Sequence, residues 1–387
     1  MNTLKSTIFK DDNGIYREHK LFMSASIMEN KLYFSDQVRN GLYYYDINLG
    51  ETRLVAHFEN ESMTQIDLHR KVIRNGSSLF FIPYYGRNIQ IFDKENDSLK
   101  CVEIYEAKDK RQHFSNAIKK DDKIYIIPFF IDIPLIEFDI KTGNYKKNNQ
   151  IIDKIRVELS KADKTKTEKY NYLDIYNSCL ADGKLILSVI GQNLLFICDI
   201  DEGNFETIKL HDDTQIRSIN EIDGYIYITL LNSRSIIKYD LQKRESRTFK
   251  SNDLSTKLAP FTQVVKIGNE IIALAGYMDD SYVLDDEIGK MIASKVLKEH
   301  ASRITDDFAL FGDIVVDEGG RTYICPRASK NVVLFDEDLD NCKTIDVIFE
   351  QGKDLADAMS GYIKDSGLIK EEYPLSLEPF IEYVKGV

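Results

Sequence analysis

The chain of 387 residues contains no tryptophan, and its five cysteines show no Cys-x-x-Cys spacing. The absence of tryptophan excludes the standard form of several repeat families, which carry this residue in every repeat. An odd number of cysteines, most of them in apolar strand-like runs, predicts buried, reduced thiols in a cytoplasmic protein. The cysteines are Cys101, Cys179, Cys198, Cys325 and Cys342.

Positive charge is also scarce, because 51 Lys and Arg residues stand against 63 Asp and Glu residues, a formal net charge of −12. Nucleic-acid binding depends on clustered Lys and Arg, so we expect no nucleic-acid partner. No apolar run of signal-peptide length follows Met1. No stretch approaches the roughly 18 apolar residues that cross a bilayer. The sequence therefore predicts a soluble, cytoplasmic protein without a membrane partner.

What the chain does contain is a strand pattern, apolar–aromatic–Asp, that recurs with variations seven times at intervals of 41 to 60 residues. An internal repeat of this length indicates a repeat architecture built from one supersecondary unit. The seven copies end at Asp46, Asp93, Asp139, Asp199, Asp240, Asp285 and Asp336.

Each repeat contains about four strand signals separated by turn residues, and the second repeat shows them most clearly. Its strand-like runs are 71–74, 79–82, 89–93 and 99–104, with the turn dipeptide Asn75-Gly76 after the first. Many of these strands are apolar on both sides, so neighbouring sheets must cover both faces of each sheet. Seven such sheets arranged around an axis satisfy this requirement and leave only short edges.

The predicted fold class is all-β, a seven-bladed β-propeller of four-stranded antiparallel blades over residues 1–351. A short helical extension, residues 352–387, is expected to pack on the propeller. Residues 6–9 could add an outer strand to the last blade and close the ring, or could belong to an extra hairpin. The predicted blades are about 21–58, 66–105, 113–152, 174–210, 215–250, 262–297 and 307–350.

The repeated Asp has a structural explanation, because it ends the third strand and begins the hairpin to the fourth. Its side chain can accept backbone N–H bonds two residues further on and so fix the turn. The run Asp336–Asn341 superficially resembles a calcium loop, but it lacks the sixth-position glycine, and Val347 stands at the twelfth position. We therefore predict no metal.

The blade pattern resembles the seven-bladed β-propeller superfamily and is kelch-like in its strand-end Asp, over about residues 21–350. The Gly-Gly doublet and the tryptophan of kelch repeats are missing. The resemblance implies the propeller architecture, and with it a ligand surface around the central channel, where the second-to-third strand loops and the fourth-to-first connections open on one face.

Arginines, acids and aromatics in the second-to-third loops are the predicted ligand-binding residues. Aromatic rings beside arginines suit a peptide, a glycan or an anionic small molecule, although arginines can also simply solvate hairpin ends. The predicted residues are Arg39, Tyr84, Tyr85, Arg87, Asp132, Arg234, Tyr277, Asp279 and Arg327.

Two histidines, His69 and His113, precede inner strands of adjacent blades and could meet at the channel mouth. With Asp67 they could form a metal or acid–base site, although their spacing is no metal signature. The candidate catalytic residues are His69, His113 and Asp36. No nucleotide-binding or hydrolase motif is present, so no cofactor is predicted.

Two insertions exceed what a blade requires. The first, about 153–171, is either a lid or partner-binding element or a solvated loop. In the second, 286–306, the residues Ile288, Met291, Ile292, Val296 and Leu297 are close to helical spacing and predict a short amphipathic helix.

Two functions remain open. The absence of catalytic motifs and the variety of the rim loops favour a recognition module that binds a protein, peptide or glycan on the loop face. The alternative is a propeller enzyme, a lyase, isomerase or hydrolase, that acts on a sugar or small peptide at the same face, an idea that depends on fold analogy. The sequence leaves catalysis undecided and leans away from it.

Overall fold

Seven antiparallel sheets of four strands each make up most of the described chain, and an eighth sheet pairs two strands that precede the first blade with one that follows the seventh. The structure, a computed structural model, describes residues 7–13, 16–62, 65–104, 114–161, 174–251, 259–278, 280–306, 308–339 and 341–350. The prediction of a seven-bladed β-propeller is confirmed. The expected C-terminal extension, 352–387, and His113 lie outside the described residues.

The four strands of every blade follow one another along the chain, and each pairs with the next. The strands that precede the first blade are β1 (Ile8–Lys10) and β2 (Tyr16–His19). Blades one to four consist of β3 (Ala25–Met28), β4 (Lys31–Ser35), β5 (Leu42–Asp46), β6 (Glu51–Ala56); β7 (His69–Asn75), β8 (Ser78–Pro83), β9 (Asn88–Asp93), β10 (Ser98–Glu103); β11 (Phe114–Lys120), β12 (Lys123–Pro128), β13 (Leu135–Asp139), β14 (Tyr145–Asn148); and β15 (Ile175–Ala181), β16 (Lys184–Val189), β17 (Leu194–Cys198), β18 (Phe205–Lys209).

Blades five to seven repeat this order. Their strands are β19 (Ile216–Ile222), β20 (Tyr225–Leu230), β21 (Ile236–Asp240), β22 (Glu245–Phe249); β23 (Phe261–Ile267), β24 (Glu270–Ala275), β25 (Tyr282–Asp285), β26 (Lys290–Ala293); and β27 (Phe311–Val316), β28 (Thr322–Pro326), β29 (Val332–Phe335), β30 (Cys342–Ile345), after which comes β31 (Ile348–Glu350). The first strands of successive blades contact one another in a closed circle, from β3 through β27 and back to β3, so they line the central channel.

Alternate residues of a second strand pack against opposite neighbours, which explains why these strands are apolar on both sides. In β8, Phe80 and Ile82 belong to the core shared with the third blade. Leu79 and Phe81 belong to the core shared with the first blade. Each buried side chain of this size contributes roughly 1.5–3 kcal/mol. A blade therefore depends on a neighbour on each side.

The strand-end Asp fixes the hairpin to the fourth strand, as expected. In six blades its Oδ1 accepts backbone N–H groups two or three residues further on, at 2.8 to 3.4 Å. In the seventh blade Asp338 accepts from the N–H of Asn341 instead, at 3.0 Å. Hydrogen bonds from Thr142 lower the pKa of Asp139, as expected for a carboxylate that accepts such bonds.

The ring closes where the first and seventh blades share one core, to which Phe349 of β31 adds. In the three-stranded sheet β2 pairs with β1 on one side and with β31 on the other. Of the two alternatives for residues 6–9, the extra hairpin is the one that forms. Beside it Lys20 is fully buried and donates to Glu18 and Asp36, each at 2.8 Å. Arg39 adds a second contact to Glu18 at 3.2 Å. We call Glu18, Lys20, Asp36 and Arg39 the closing network.

The two insertions differ from their predictions. Residues 150–161 form the helix α1 (Gln150–Lys161), which buries Ile152, Ile155 and Leu159 in the core between the third and fourth blades. The described part of this insertion is therefore a packed helix. Residues 162–173 lie outside the described part.

In the second insertion the predicted helix is shorter and begins later. It is α2 (Lys295–His300), whose Leu297 N–H is capped by the Ser294 hydroxyl at 3.3 Å. The prediction was wrong for Met291 and Ile292, which belong to the strand β26. A fourth strand was needed there to complete the sixth blade, and that tertiary requirement outweighs the helical spacing.

Replacing Lys20 with methionine keeps the side-chain volume but leaves two buried carboxylates without their lysine. We expect the free energy of unfolding, measured with urea, to fall by about 3–5 kcal/mol. The control is Lys243→Met, because Lys243 is exposed and its Nζ lies 3.6 Å from Asp240; its effect should be below about 0.5 kcal/mol. Equal effects of the two substitutions would contradict a stabilising role of the closing network.

Candidate functional site

A local irregularity places side chains at the channel mouth. In six of the seven first strands the pairing with the second strand shifts register just after the first residue. Such bulges redirect a side chain and are common beside functional sites. The residues at the shifts are Arg70, Ser115, Tyr176, Arg217, Thr262 and Gly312. Gly312 is required there, because a Cβ would come 2.4 Å from the carbonyl oxygen of Met23.

Three arginines surround one of these residues, Tyr176. The Arg217 guanidinium lies 3.4 Å from the centroid of the Tyr176 ring. Arg327, from the loop after β28, and Arg70 line the same small void as the Tyr176 side chain, and both lower the pKa of the phenol. Asp67 and Asp174 accompany the arginines. We call Asp67, Arg70, Asp174, Tyr176, Arg217 and Arg327 the channel-mouth cluster.

The electrostatics of Tyr176 are unusual for a tyrosine. Burial alone would raise its pKa, but Arg217, Arg327 and Arg70 favour the phenolate and lower the pKa to about 7. The phenol of Tyr84, which is also at the mouth, shifts the opposite way because burial dominates there. One ring at the mouth therefore ionises near neutral pH, whereas its neighbour stays protonated.

The pKa values of the two carboxyl groups of the cluster also shift toward 7. Burial raises the pKa of Asp67 to about 6, although Arg327 and Arg70 oppose the shift. Burial likewise raises the pKa of Asp174 to about 6 against the opposing charge of Arg217. Groups tuned this close to pH 7 concentrate at functional sites.

A small void of about 20 Å³ adjoins the phenol. Its lining residues are Arg70, Tyr176, Thr262, Gln263, Phe311, Gly312, Asp313 and Arg327. Asp313 accepts from Lys71 at 2.9 Å and lies 3.7 Å from Arg70, so part of the local positive charge is already compensated. A void of this size accommodates about one water molecule.

Four buried polar atoms of the cluster have no hydrogen-bond partner among the residues that the structure describes. They are Oδ1 of Asp67, Oδ1 of Asp174, Nε of Arg217 and Nε of Arg327. Buried polar atoms are nearly always paired, so such atoms at a channel mouth point to a polar ligand or ordered water.

Apolar side chains form the opposite wall of the mouth. Met23, Tyr84 and Phe129 pack together there, and Tyr176 joins them from the side. The ring centroids of Phe129 and Tyr176 are 6.2 Å apart. The mouth thus combines a cationic side with an aromatic side, which suits a ligand that carries both an anionic and an apolar group.

The structure brings some of the predicted residues to this site. Arg327, Asp67 and Tyr84 lie at the mouth, and Tyr85 stacks edge-on against Tyr84 with centroids 5.2 Å apart. Tyr277 is 39% exposed and close enough to influence the pKa of Arg327.

Other predicted residues serve local contacts or stay on the rim. Asp36 and Arg39 belong to the closing network. The Arg87 N–H donates to Glu61 at 2.8 Å, and the Arg234 guanidinium donates to the Tyr282 hydroxyl at 3.3 Å. Asp132 is exposed. Asp279 lies outside the described residues.

His69, the described member of the predicted histidine pair, is buried beneath the mouth. Its Nδ1 lies 2.8 Å from the Ser35 hydroxyl, and its ring packs edge-on against Phe58 with centroids 4.3 Å apart. Burial lowers the pKa of His69 to about 3, so the imidazole is neutral at pH 7. Within the described ranges, no group of three or more His, Cys, Asp or Glu side chains could hold a metal.

The sequence reasoning missed Arg70, Asp174, Tyr176 and Arg217. The predicted ligand-binding residues lie in the loops between second and third strands, whereas these four residues lie at or just before the start of first strands. A usable signal existed, because the second position of each first strand, aligned over the seven repeats, carries an unexpected arginine in two blades and a tyrosine in a third.

Comparisons with known proteins support the architecture. No protein-family model and no curated protein matches the chain. A streptogramin B lyase structure has a TM-score of 0.55 at 11% identity, covering 85% of this chain and 98% of that one. Virginiamycin B lyase from Staphylococcus aureus has a TM-score of 0.56 at 8% identity, covering 81% and 95%. A chain of the mitotic checkpoint complex has a TM-score of 0.52 at 10% identity, covering 88% and 90%. The TM-scores and coverages show a shared fold, and at identities this low the similarity extends to the fold alone.

Among the helices in the described ranges, none is long and apolar enough to cross a membrane. The described cysteines are free, and Cys179, Cys198 and Cys325 are buried.

The ionisation of Tyr176 is directly measurable. We expect the ultraviolet absorbance of tyrosinate to rise by about one tyrosine with a midpoint near pH 7, because three arginines favour the phenolate. Tyr176→Phe should abolish this step, and Arg327→Gln should move it to higher pH by removing a donor and a charge. Tyr84→Phe is the matched control and should leave the step in place. A neutral-pH step that survives in Tyr176→Phe would contradict the assignment.

Proposed function

We propose that this chain is a propeller recognition module that binds an acidic segment of a protein or peptide at its channel mouth. The observation that carries the proposal is the convergence of Arg70, Arg217 and Arg327 on one buried point. Two of these arginines have an unpartnered Nε among the described residues. Arginines bind carboxylates through paired, charge-assisted hydrogen bonds, which give both affinity and direction.

The charge of the whole chain narrows the class of partner. A protein with a formal net charge of −12 repels long polyanions. The arginines at the channel mouth therefore suit one anionic group rather than a charged polymer. A carboxylate of a side chain or of a chain end meets this description. The neighbouring Tyr84 and Phe129 would contact an apolar residue beside the carboxylate.

The fold is compatible with this role. One structural neighbour is a chain from the mitotic checkpoint complex, which is an assembly of proteins. This support is an analogy at the level of fold.

A peptide-binding assay tests the proposal. Fluorescently labelled peptide libraries that differ only by Glu against Gln, or by a free against an amidated C-terminus, would be measured by fluorescence polarisation. We expect acidic members to bind, and we expect Arg327→Gln and Arg217→Gln to weaken binding about tenfold or more, because each removes a charge-assisted hydrogen bond.

The matched control is Arg53→Gln, which removes one positive charge from an exposed outer strand and should leave affinity unchanged. Arg327→Lys keeps the charge but loses the planar fork, and should bind with intermediate affinity. Binding that is equal for acidic and amidated peptides, or that is insensitive to the mouth arginines, would contradict the proposal.

An enzyme at the same mouth is the second candidate, and the tuned groups favour it. Tyr176, Asp67 and Asp174 have pKa values between about 6 and about 7, a range that suits proton transfer. Among the structural neighbours is a catalytically inactive virginiamycin B lyase with quinupristin.

Incubation with quinupristin, followed by mass spectrometry, separates the two candidates. Conversion by the wild-type chain that disappears in Tyr176→Phe would favour the enzyme. No conversion, or conversion that persists in Tyr176→Phe, would count against an enzyme that depends on Tyr176.

A further inference from the structure

The phenol oxygen of Tyr176 occupies the position that an anionic ligand would need. The Arg217 guanidinium lies 3.4 Å from the ring centroid, Arg70 and Arg327 line the same void as the ring, and all three arginines favour the phenolate. The adjoining void of about 20 Å³ accommodates one water but not a carboxylate group. An anion that reaches these arginines must therefore displace the phenol oxygen from them.

The charges at the mouth leave room for one more negative group. The described cations there are Arg70, Lys71, Arg217 and Arg327, and the described carboxyl groups are Asp67, Asp174 and Asp313. Four cations against three carboxylates leave one positive charge in excess, which either an ionised Tyr176 or a bound anion can neutralise. A buried excess charge is costly, so one of these two should be present.

Building on the proposed function, we infer that Tyr176 is an internal counter-ion which the anionic group of a ligand replaces, so that ligand binding is linked to protonation of Tyr176. When the ligand anion takes the place of the phenolate beside these arginines, the phenolate loses its stabilising charges and takes up one proton from solvent. The arginines keep one anionic partner throughout.

Every element around Tyr176 contributes to this exchange. Arg70 comes from β7 and Arg217 from β19, and Arg327 follows β28. The carboxyl groups that face the same space are Asp67 before β7, Asp174 before β15 and Asp313 on β27, and the phenol of Tyr84 follows β8. Asp313 has a lowered pKa because of Lys71 and Arg70, so its charge stays constant near pH 7.

The direction of the pH dependence follows from these groups. Above pH 7 the phenolate competes with the ligand, so the dissociation constant should rise by up to about tenfold per pH unit. Below pH 7 the phenol is already protonated, and the affinity should level off. Near pH 6 the protonation of Asp67 and Asp174 adds positive charge and should strengthen binding again.

Sulfate is a suitable probe, because its charge stays constant across this pH range. The tyrosinate absorbance step would be titrated with and without sulfate, at an ionic strength held constant with a salt of a bulky anion. We expect sulfate to move the midpoint of the step to higher pH. In Tyr176→Phe, sulfate affinity should become independent of pH above 7. Tyr145→Phe, a change on the outer strand β14 where Tyr145 is exposed, should behave like the wild-type chain.

The result separates this inference from the proposed function. A midpoint that sulfate does not move overturns the counter-ion role, while peptide binding that still requires Arg217 and Arg327 would leave the recognition function standing. Conversely, sulfate could move the midpoint although acidic peptides fail to bind, which would overturn only the function. Arg327→Lys retains the charge and serves as a second variant should Arg327→Gln fail to fold.

Discussion

The structure depends on covering both faces of every blade. A second strand such as β8 sends alternate side chains into two different cores, so a blade at the end of an open row would expose one of them to water. Closure of the ring is therefore an energetic necessity. The chain meets it because the first and seventh blades pack directly against each other, a separate sheet of β1, β2 and β31 adds to this contact, and the closing network is buried beside it.

The same closure defines the site. Seven first strands converge on one axis, so side chains that are distant in sequence become neighbours at one end of the channel. Arg70 and Arg327 are separated by most of the ring in sequence, yet they act on the same phenol. The low-dielectric surroundings strengthen these interactions, and this explains how a tyrosine and two carboxyl groups come to have pKa values within one pH range.

The architecture was readable from the sequence, because the repeat, the turn-forming Asp residues and the two-sided apolar strands all follow from local chemistry. Only some residues of the candidate site could be predicted from the sequence. Arg327, Asp67 and Tyr84 lie on or before loops and were found, whereas Arg70, Tyr176 and Arg217 depend on bulges. A bulge is a matter of pairing between two strands, and the sequence of one strand does not display it.

The bulge near the start of six of the seven first strands also separates positions that packing constrains from positions that vary. Packing restricts which residues are tolerated around the bulge, since those residues fill the cores between blades. In this chain the residue at the bulge is as small as glycine and as large as arginine. Apart from Gly312, these are variable positions on a fixed frame, where new chemistry can arise by single substitutions that leave the frame intact.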